Sequence, residues 1–426
     1  MKHASFDVLV IGAGPAGLAA ASSASQGGAS IALVDDNPAP GGQIWRADHT
    51  KQPGIQAHSW LLKSKNERIT HYMRSRVIGA FEPGKLLVET PDGSLELCYK
   101  KLILATGARE RFLPFPGWTL PGIMGVGGLQ ALVKGGLPIA GKRVVIAGSG
   151  PLLLAVAVYL KHQGARVSLI AEQTSWSNLA RFALHLPRHT SYLWQAAGFA
   201  RELAGVPLKT SCWVTRALGE QRLEAVVLQY GKRSLILDCD YLACGFGLAP
   251  NVELAAALNC ERQEGLAHVN EWQETSQPGV YCAGEVTGIG GLELSLLEGQ
   301  IAGLAATERF EEARQLFTRC IRARAFATLQ TKYFALRPEL RTLADARTIV
   351  CRCEDVTYGE LEQHTSWRSA KLQTRCGMGP CQGRVCGAAT DFLFGWTQDA
   401  IRPPLASARV ASLASMQDTH SKEISR

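Results

Sequence analysis

Short, continuous apolar runs that stop at glycines or acids punctuate the N-terminal two thirds of this chain. Asp7-Val-Leu-Val-Ile11 has the length of a buried strand, and Gly12-Ala-Gly-Pro-Ala-Gly17 with an alanine-rich helix follows it. A second short run, Ile31-Ala-Leu-Val34, ends at Asp35, which completes a strand–helix–strand unit. The same order recurs at Arg143-Val-Val-Ile-Ala147, Gly148-Ser-Gly-Pro-Leu-Leu153, a helix to Gln163, and Val167-Ser-Leu-Ile170 before Glu172. Two nucleotide-binding-type modules are therefore predicted, and the fold class is α/β.

Leu102-Ile-Leu-Ala-Thr-Gly107 and Tyr241-Leu-Ala-Cys-Gly245 read as further apolar strands ending in small residues. Gly279-Val-Tyr-Cys-Ala-Gly-Glu285 precedes a glycine-rich turn and a helix containing Glu298-Gly-Gln-Ile-Ala-Gly303. Because that strand and helix come after the second module, the chain is expected to leave its first domain, build the second and return. The boundaries so predicted are 1–117 with 265–310 for the first domain and 118–264 for the second. Residues 311–348 read as a helical, charged linker, 349–400 as a small cysteine-bearing domain, and 401–426 as a poorly ordered tail of small and polar residues.

Composition narrows the function classes. With 426 residues and 46% apolar content the chain can bury several cores. No run approaches the roughly eighteen uninterrupted apolar residues of a membrane helix, and the N-terminus shows no signal-peptide core, so a cytoplasmic location is expected. The net charge of +8 is spread along the chain without the basic–aromatic interleaving of a nucleic-acid groove. Twelve cysteines in such a compartment argue for metal or redox chemistry before structural disulfides. Five lie between Cys351 and Cys386, where an even spread would put about one. Cys98, Cys212, Cys239, Cys244, Cys260, Cys282 and Cys320 are scattered and read as buried apolar thiols.

Each glycine of the first triplet has its own task. Gly12 allows a tight turn, Gly14 admits a pyrophosphate close to the backbone, and Gly17 lets helix and strand pack closely. The helix start beyond Pro15 and Ala16 supplies unpaired amides to phosphate, and Asp35 is placed to accept from a ribose hydroxyl. In the second triplet the third glycine is replaced by Leu153, so NAD binding and a retained scaffold, with or without another nucleotide, both stay open there. No arginine closely follows Glu172, which disfavours NADP. Cys351-x-Cys353 and Cys376-Gly-Met-Gly-Pro-Cys381-Gln-Gly-Arg-Val-Cys386 can bring four thiolates to one metal centre, a zinc ion or a [2Fe–2S] cluster. Cys-x-Cys is unusual for zinc, and the cluster is the preferred reading. The histidines stand singly, and no catalytic acid–base residue is assigned.

Gly12-Ala-Gly-Pro-Ala-Gly17, Pro40-Gly-Gly-Gln43, Ala105-Thr-Gly-Ala-Arg109 and Ala283-Gly-Glu285 together resemble the signature series of the two-dinucleotide-domain flavoproteins of glutathione-reductase-like fold. The resemblance implies FAD, with Gly42 and Gln43 beside the flavin, Thr106 and Gly107 closing over the pyrophosphate, and Gly284 and Glu285 near the ribityl phosphate. Family members usually carry Asp where this chain has Glu285. No Cys-x-x-Cys pair occurs before residue 351, which sets disulfide reduction aside. Cys351-Arg-Cys-Glu-Asp-Val-Thr357 with Thr374 to Arg384 resembles the bacterioferritin-associated-ferredoxin-like (BFD-like) [2Fe–2S] domain. That resemblance favours Cys351, Cys353, Cys381 and Cys386 as ligands, with Cys376 as an alternative.

The order of these parts, with Ala108-Arg-Glu-Arg111 and Pro114 to Gly122, resembles the α subunits of bacterial hetero-oligomeric amine dehydrogenases of D-hydroxyproline, opine and hydrogen cyanide synthase type. This implies a partner β subunit of D-amino-acid-oxidase-like fold that oxidises the substrate C–N bond, a small third subunit in some assemblies, and FMN at a subunit interface. The chain itself would relay electrons. A self-contained NADH-dependent reductase and a pure electron-carrier module are the competing expectations.

Overall fold

The computed structural model describes residues 2–45, 54–398 and 401–415. The chain divides into two compact units, Met1–Arg109 with Pro250–Ala327 and Asp399–Arg426, and Glu110–Ala249 with Thr328–Gln398.

In the first unit, strand β1 (Lys2–Ile11) leads into helix α1 (Pro15–Gln26) and strand β2 (Ile31–Val34). Strands β3 (Ile69–Tyr72), β4 (Arg76–Glu82), β5 (Lys85–Thr90) and β6 (Gly93–Leu104) complete a sheet ordered β3-β2-β1-β6-β5-β4. Strand β1 starts earlier than its apolar run, because β6 pairs with it from Lys2 onward although those first side chains face solvent. The register matters more than the count. Ile11 lies level with Val34 of β2 and Leu104 of β6, and Leu104 in turn with Cys282 of the strand Val280–Cys282. All these pairings are parallel, so Gly12, Asp35, Ala105 and Ala283 leave the sheet at one edge. In an open α/β sheet that edge is where ligands bind.

Helix α1 is squeezed from both sides, which explains its composition: ten of its twelve residues are buried, and apart from Leu18 those ten are alanine, glycine or serine. A Cβ on Gly17 would sit 1.7 Å from the Gly12 carbonyl oxygen. On the opposite face, the helix Gly291–Ala306 approaches so closely that Cβ atoms on Gly299 and Gly303 would lie 2.2 and 2.3 Å from the carbonyl oxygens of Ala16 and Ala20.

The second unit repeats the plan. Its parallel sheet runs Leu208–Lys209, Arg166–Glu172, Arg143–Gly148, Tyr241–Gly245, Ile123–Gly125, with the helix Pro151–His162 in the crossover. A three-stranded antiparallel sheet (Cys212–Leu218, Ala225–Tyr230, Arg233–Asp238) adds to its core. Residues 350–396 also carry a small core of their own, with Val350, Leu361, Trp367, Ala370, Ala389 and Trp396 buried.

The boundaries depart from the sequence expectation in three places. The chain re-enters the first unit at Pro250 rather than at 265, because Leu254, Ala255 and Cys260 pack into the core formed by Leu9, Leu102 and Leu104. The segment read as one linker, 311–348, is divided between the units at 327/328, and the cysteine-bearing segment groups with the second unit. The tail is not loose over 401–415: Leu405 is buried and its amide donates to the Ile78 carbonyl, and Arg409 pairs with Glu89. Residues 416–426 lie outside the described residues.

Replacing Gly299 or Gly303 by alanine forces the two helices apart, and overpacking of this kind costs about 1–3 kcal/mol. Urea unfolding of each variant should show its midpoint lowered accordingly, whereas Gly28→Ala, beside open space but with a φ of +84°, should show only a backbone effect.

Candidate functional site

The first glycine turn is built from backbone. A Cβ on Gly12 would lie 2.2 Å from the Ala105 carbonyl oxygen and one on Gly42 2.8 Å from the Cα of Gly14, so Gly14 and Gly42 face each other with no side chain between them. Gly14 is the N-cap of α1 and Pro15 its first residue, and no side chain caps the helix. The first amides of a twelve-residue helix are thus left to an external acceptor, and a pyrophosphate fits them. Asp35 accepts from the amide of Ala13 (2.6 Å) through Oδ2 and from the amide (2.8 Å) and side chain (2.7 Å) of Asn37 through Oδ1. Its carboxylate therefore holds the turn and keeps lone pairs for a ribose hydroxyl.

Other predicted positions gather at the same edge. Thr106 donates its hydroxyl to the Asn251 carbonyl (2.7 Å), and Asn251 returns its side-chain amide to the Thr106 carbonyl (2.8 Å). The Asn251 amide also donates to the Gly107 carbonyl at 2.9 Å, and Arg109 reaches Asn251 Oδ1 (2.8 Å) and Glu253 (2.7 Å). Asn251 thereby fixes the Thr106–Gly107 turn. Sequence reading missed it, although Pro250-Asn251 soon after a strand ending in glycine is a turn signal. Gly284 adopts a φ of +79° and Glu285 follows it, with burial raising the Glu285 carboxyl and the Gly291 amide opposing that. Gln43 is exposed.

The second turn differs in conformation. Gly150, the counterpart of Gly14, has a φ of +96° where Gly14 has −74°. Leu153 is buried, and its Cδ2 would lie 2.5 Å from a Cβ on Gly245, so it occupies the space above that strand. Glu172 accepts from the amides of Gly150 and Thr174, both at 2.8 Å, as Asp35 does in the first module. The segment around Phe334 packs against this turn. The Phe334 ring lies against Gly150, Ser149 donates to the Phe334 carbonyl (3.0 Å), and Gln173 donates to the Ala335 carbonyl (3.0 Å). The Arg337 amide closes the set on Gln173 Oε1 at 2.9 Å.

The cysteine segment folds so that the sulfurs of Cys351, Cys376 and Cys386 lie within 4.8 Å of one another, all buried. Cys381, half-buried, contacts both Cys386 and exposed Cys353. Of the four favoured ligands the structure groups Cys351 and Cys386 with the alternative Cys376, and leaves Cys353 and Cys381 as a pair beside Cys386. Contacts with Cys376 and Cys386 hold the Cys351 thiol down to about 2 and Cys381 falls to about 5 beside Cys386, while the same contacts push Cys376 up to about 12 and raise Cys386. Such thiolates are the species that bind iron or zinc. For the scattered thiols the cause is burial, which pushes Cys212 and Cys320 up to about 11 and Cys239 to about 12; Cys98 is only half-buried. Among the described residues no helix is long and apolar enough to cross a membrane.

The model of the pyridine nucleotide-disulphide oxidoreductase family matches residues 6–306. The chain is similar to hydrogen cyanide synthase subunit HcnB of Pseudomonas aeruginosa, 31% identical over 434 residues that cover 92% of each chain. It is also similar to an opine oxidase subunit of Rhizobium meliloti, 32% identical over 460 residues covering 96% of this chain and 99% of that one. Its fold resembles the crystal structure of L-proline dehydrogenase from P. horikoshii, with a TM-score of 0.70 at 19% identity over 97% of this chain and 80% of that one.

The raised carboxyl of Glu285 has a pH consequence. Between the ordinary carboxyl value and the raised one, the native state holds a proton that the unfolded state has lost, so stability falls as pH rises through that range. Glu285→Gln should flatten this slope, measured by urea unfolding of the flavin-free protein at about pH 5 and about pH 7.

Proposed function

We propose that this chain, which belongs to the pyridine nucleotide-disulphide oxidoreductase family and is an oxidoreductase, serves as the electron-relaying subunit of an amine or imino-acid dehydrogenase of D-hydroxyproline or opine type. In this reading it carries FAD and a [2Fe–2S] cluster, and a β subunit of D-amino-acid-oxidase-like fold oxidises the substrate C–N bond. An interfacial FMN and a small third subunit belong to the same reading. The relatives named as enzyme subunits support a partnered enzyme.

The observation that carries the proposal is the contrast between the two glycine turns. Gly14 and Gly42 leave a bare backbone cleft at an uncapped helix start, while at Gly150 the Phe334 ring and two backbone carbonyls stand where a dinucleotide's phosphates would approach. One turn suits a tightly held FAD and the other is more crowded by the chain's own residues, which favours the relay reading over a self-contained NADH-dependent reductase. FAD, when bound, supplies a two-electron acceptor able to pass electrons on singly, and iron–sulfur centres take them singly. Gly12, Gly14, Pro15, Ala16 and Gly17 would hold its pyrophosphate, Asp35 its ribose, and Gly42, Gln43, Thr106, Gly107, Gly284 and Glu285 the remainder. Cys351, Cys353, Cys381 and Cys386 would hold the cluster, with Cys376 at its side.

Anaerobic addition of NADH to the purified chain should leave the flavin absorbance unchanged, and amine-dependent dye reduction should appear only when a β subunit is added. Rapid bleaching by NADH would overturn the relay reading. Cys351→Ser and Cys386→Ser should each remove iron and the visible absorption of the cluster, whereas Cys376→Ser should retain both. Iron lost only in the Cys376 variant would replace the ligand set.

A further inference from the structure

Glu298 is the most deeply buried carboxylate among the described residues of the first unit, 1% exposed, and it is not one of the residues assigned to hold the flavin. It stands one residue before Gly299, whose missing side chain lets the Gly291–Ala306 helix touch α1 at Ala16. Its two oxygens divide their work. Oε2 accepts from the Gly284 amide (2.9 Å) and the Thr287 hydroxyl (2.8 Å), while Oε1 accepts from Arg324 Nη2 at 2.7 Å. Thr287 also donates its backbone amide to the Gly284 carbonyl at 2.9 Å, closing the turn that Glu298 grips from behind. That turn sits tightly against α1, since a Cβ on Gly284 would lie 2.8 Å from the Ala16 Cβ. Burial pushes the Glu298 carboxyl up, and Arg324 with the Thr287 and Gly284 donors opposes it. The Gly284 amide and Arg324 can only donate, while the Thr287 hydroxyl, also 2.8 Å from the Gly284 carbonyl oxygen, has one proton for the two acceptors.

Arg324 arrives from a different element, the helix Phe317–Tyr333, and its side chain is half-exposed. A buried carboxylate that loses its cation is left with uncompensated charge, so the position of this helix and the state of the turn are linked.

We propose that Glu298 and Arg324 form a positioning pair that fixes the Gly284–Glu285 turn for the flavin, so that the helix carrying Arg324 is coupled to how firmly FAD is held. This rests on the reading that the first module binds FAD. Neither residue touches reacting atoms; the pair acts through the Gly284 amide.

The test is the rate at which the holoprotein releases FAD on dilution, followed by the rise in free-flavin fluorescence, together with the visible circular dichroism of the bound flavin. Glu298→Gln and Arg324→Gln should each speed release by about tenfold or more and alter the dichroism, while Arg324→Lys, which keeps the cation, should stay near the wild-type rate. Because the two residues act as one unit, the double variant should release FAD no faster than the faster single variant, within about twofold. Single variants that release FAD at the wild-type rate, or losses that multiply in the double variant, overturn the proposal. If Glu298→Gln does not fold, Arg324→Gln decides the matter alone: a folded protein with wild-type release and dichroism refutes the coupling. A wild-type chain without flavin absorbance overturns the flavin reading and this proposal together, whereas a flavin-loaded wild type with unaffected variants overturns only the latter.

Discussion

One steric limit organises the first unit: the distance between Gly17 and the Gly12 carbonyl oxygen, which leaves no room for even a methyl group. Accepting that limit brings α1 down onto the ends of β1, β2 and β6, and the level register of those strands then delivers Gly12, Asp35 and Thr106 around the helix start. The same economy of side chains is repeated on the far face of α1, where Gly299 and Gly303 admit the second helix. A helix held between two backbones has little freedom to shift, and its N-terminal amides are fixed in direction, as recognition of a pyrophosphate requires.

In the second module that limit is relaxed. Leu153 stands at the position of Gly17, the turn before it changes hand at Gly150, and the leucine is accommodated by the absence of a side chain on Gly245. The sheet and the carboxylate at its edge survive this, since Glu172 holds its turn as Asp35 does. Around that turn Ser149 and Gln173 donate to the carbonyls of Phe334 and Ala335, contacts that have no counterpart among the hydrogen bonds described for the first turn. The same architecture can thus be kept while the side chains at its glycine turn change.

The cysteines separate along similar lines. Thiols in apolar cores are held protonated by desolvation, whereas in the 351–386 segment neighbouring thiols favour the ionised form of Cys351 and Cys381 and disfavour that of Cys376 and Cys386. Burial is shared by Cys239 and Cys351; the difference lies in what surrounds each sulfur.

Local grammar alone determined the two modules, the α/β class and the positions of the glycine turns, because strand, turn and helix signals act within a few residues of one another. It also determined that cysteines cluster after residue 350, since spacing along the chain is a local property. Only the tertiary structure decided that Asn251 locks the Thr106–Gly107 turn, that Glu298 and Arg324 meet behind Gly284, and that Phe334 lies on Gly150. Each of those contacts joins segments whose separation along the chain carries no periodicity to read. The return of the chain at Pro250 and the packing of Leu405 were hidden for the same reason: whether a short apolar stretch is buried depends on which distant surface is left uncovered, and that is settled when the sheets assemble.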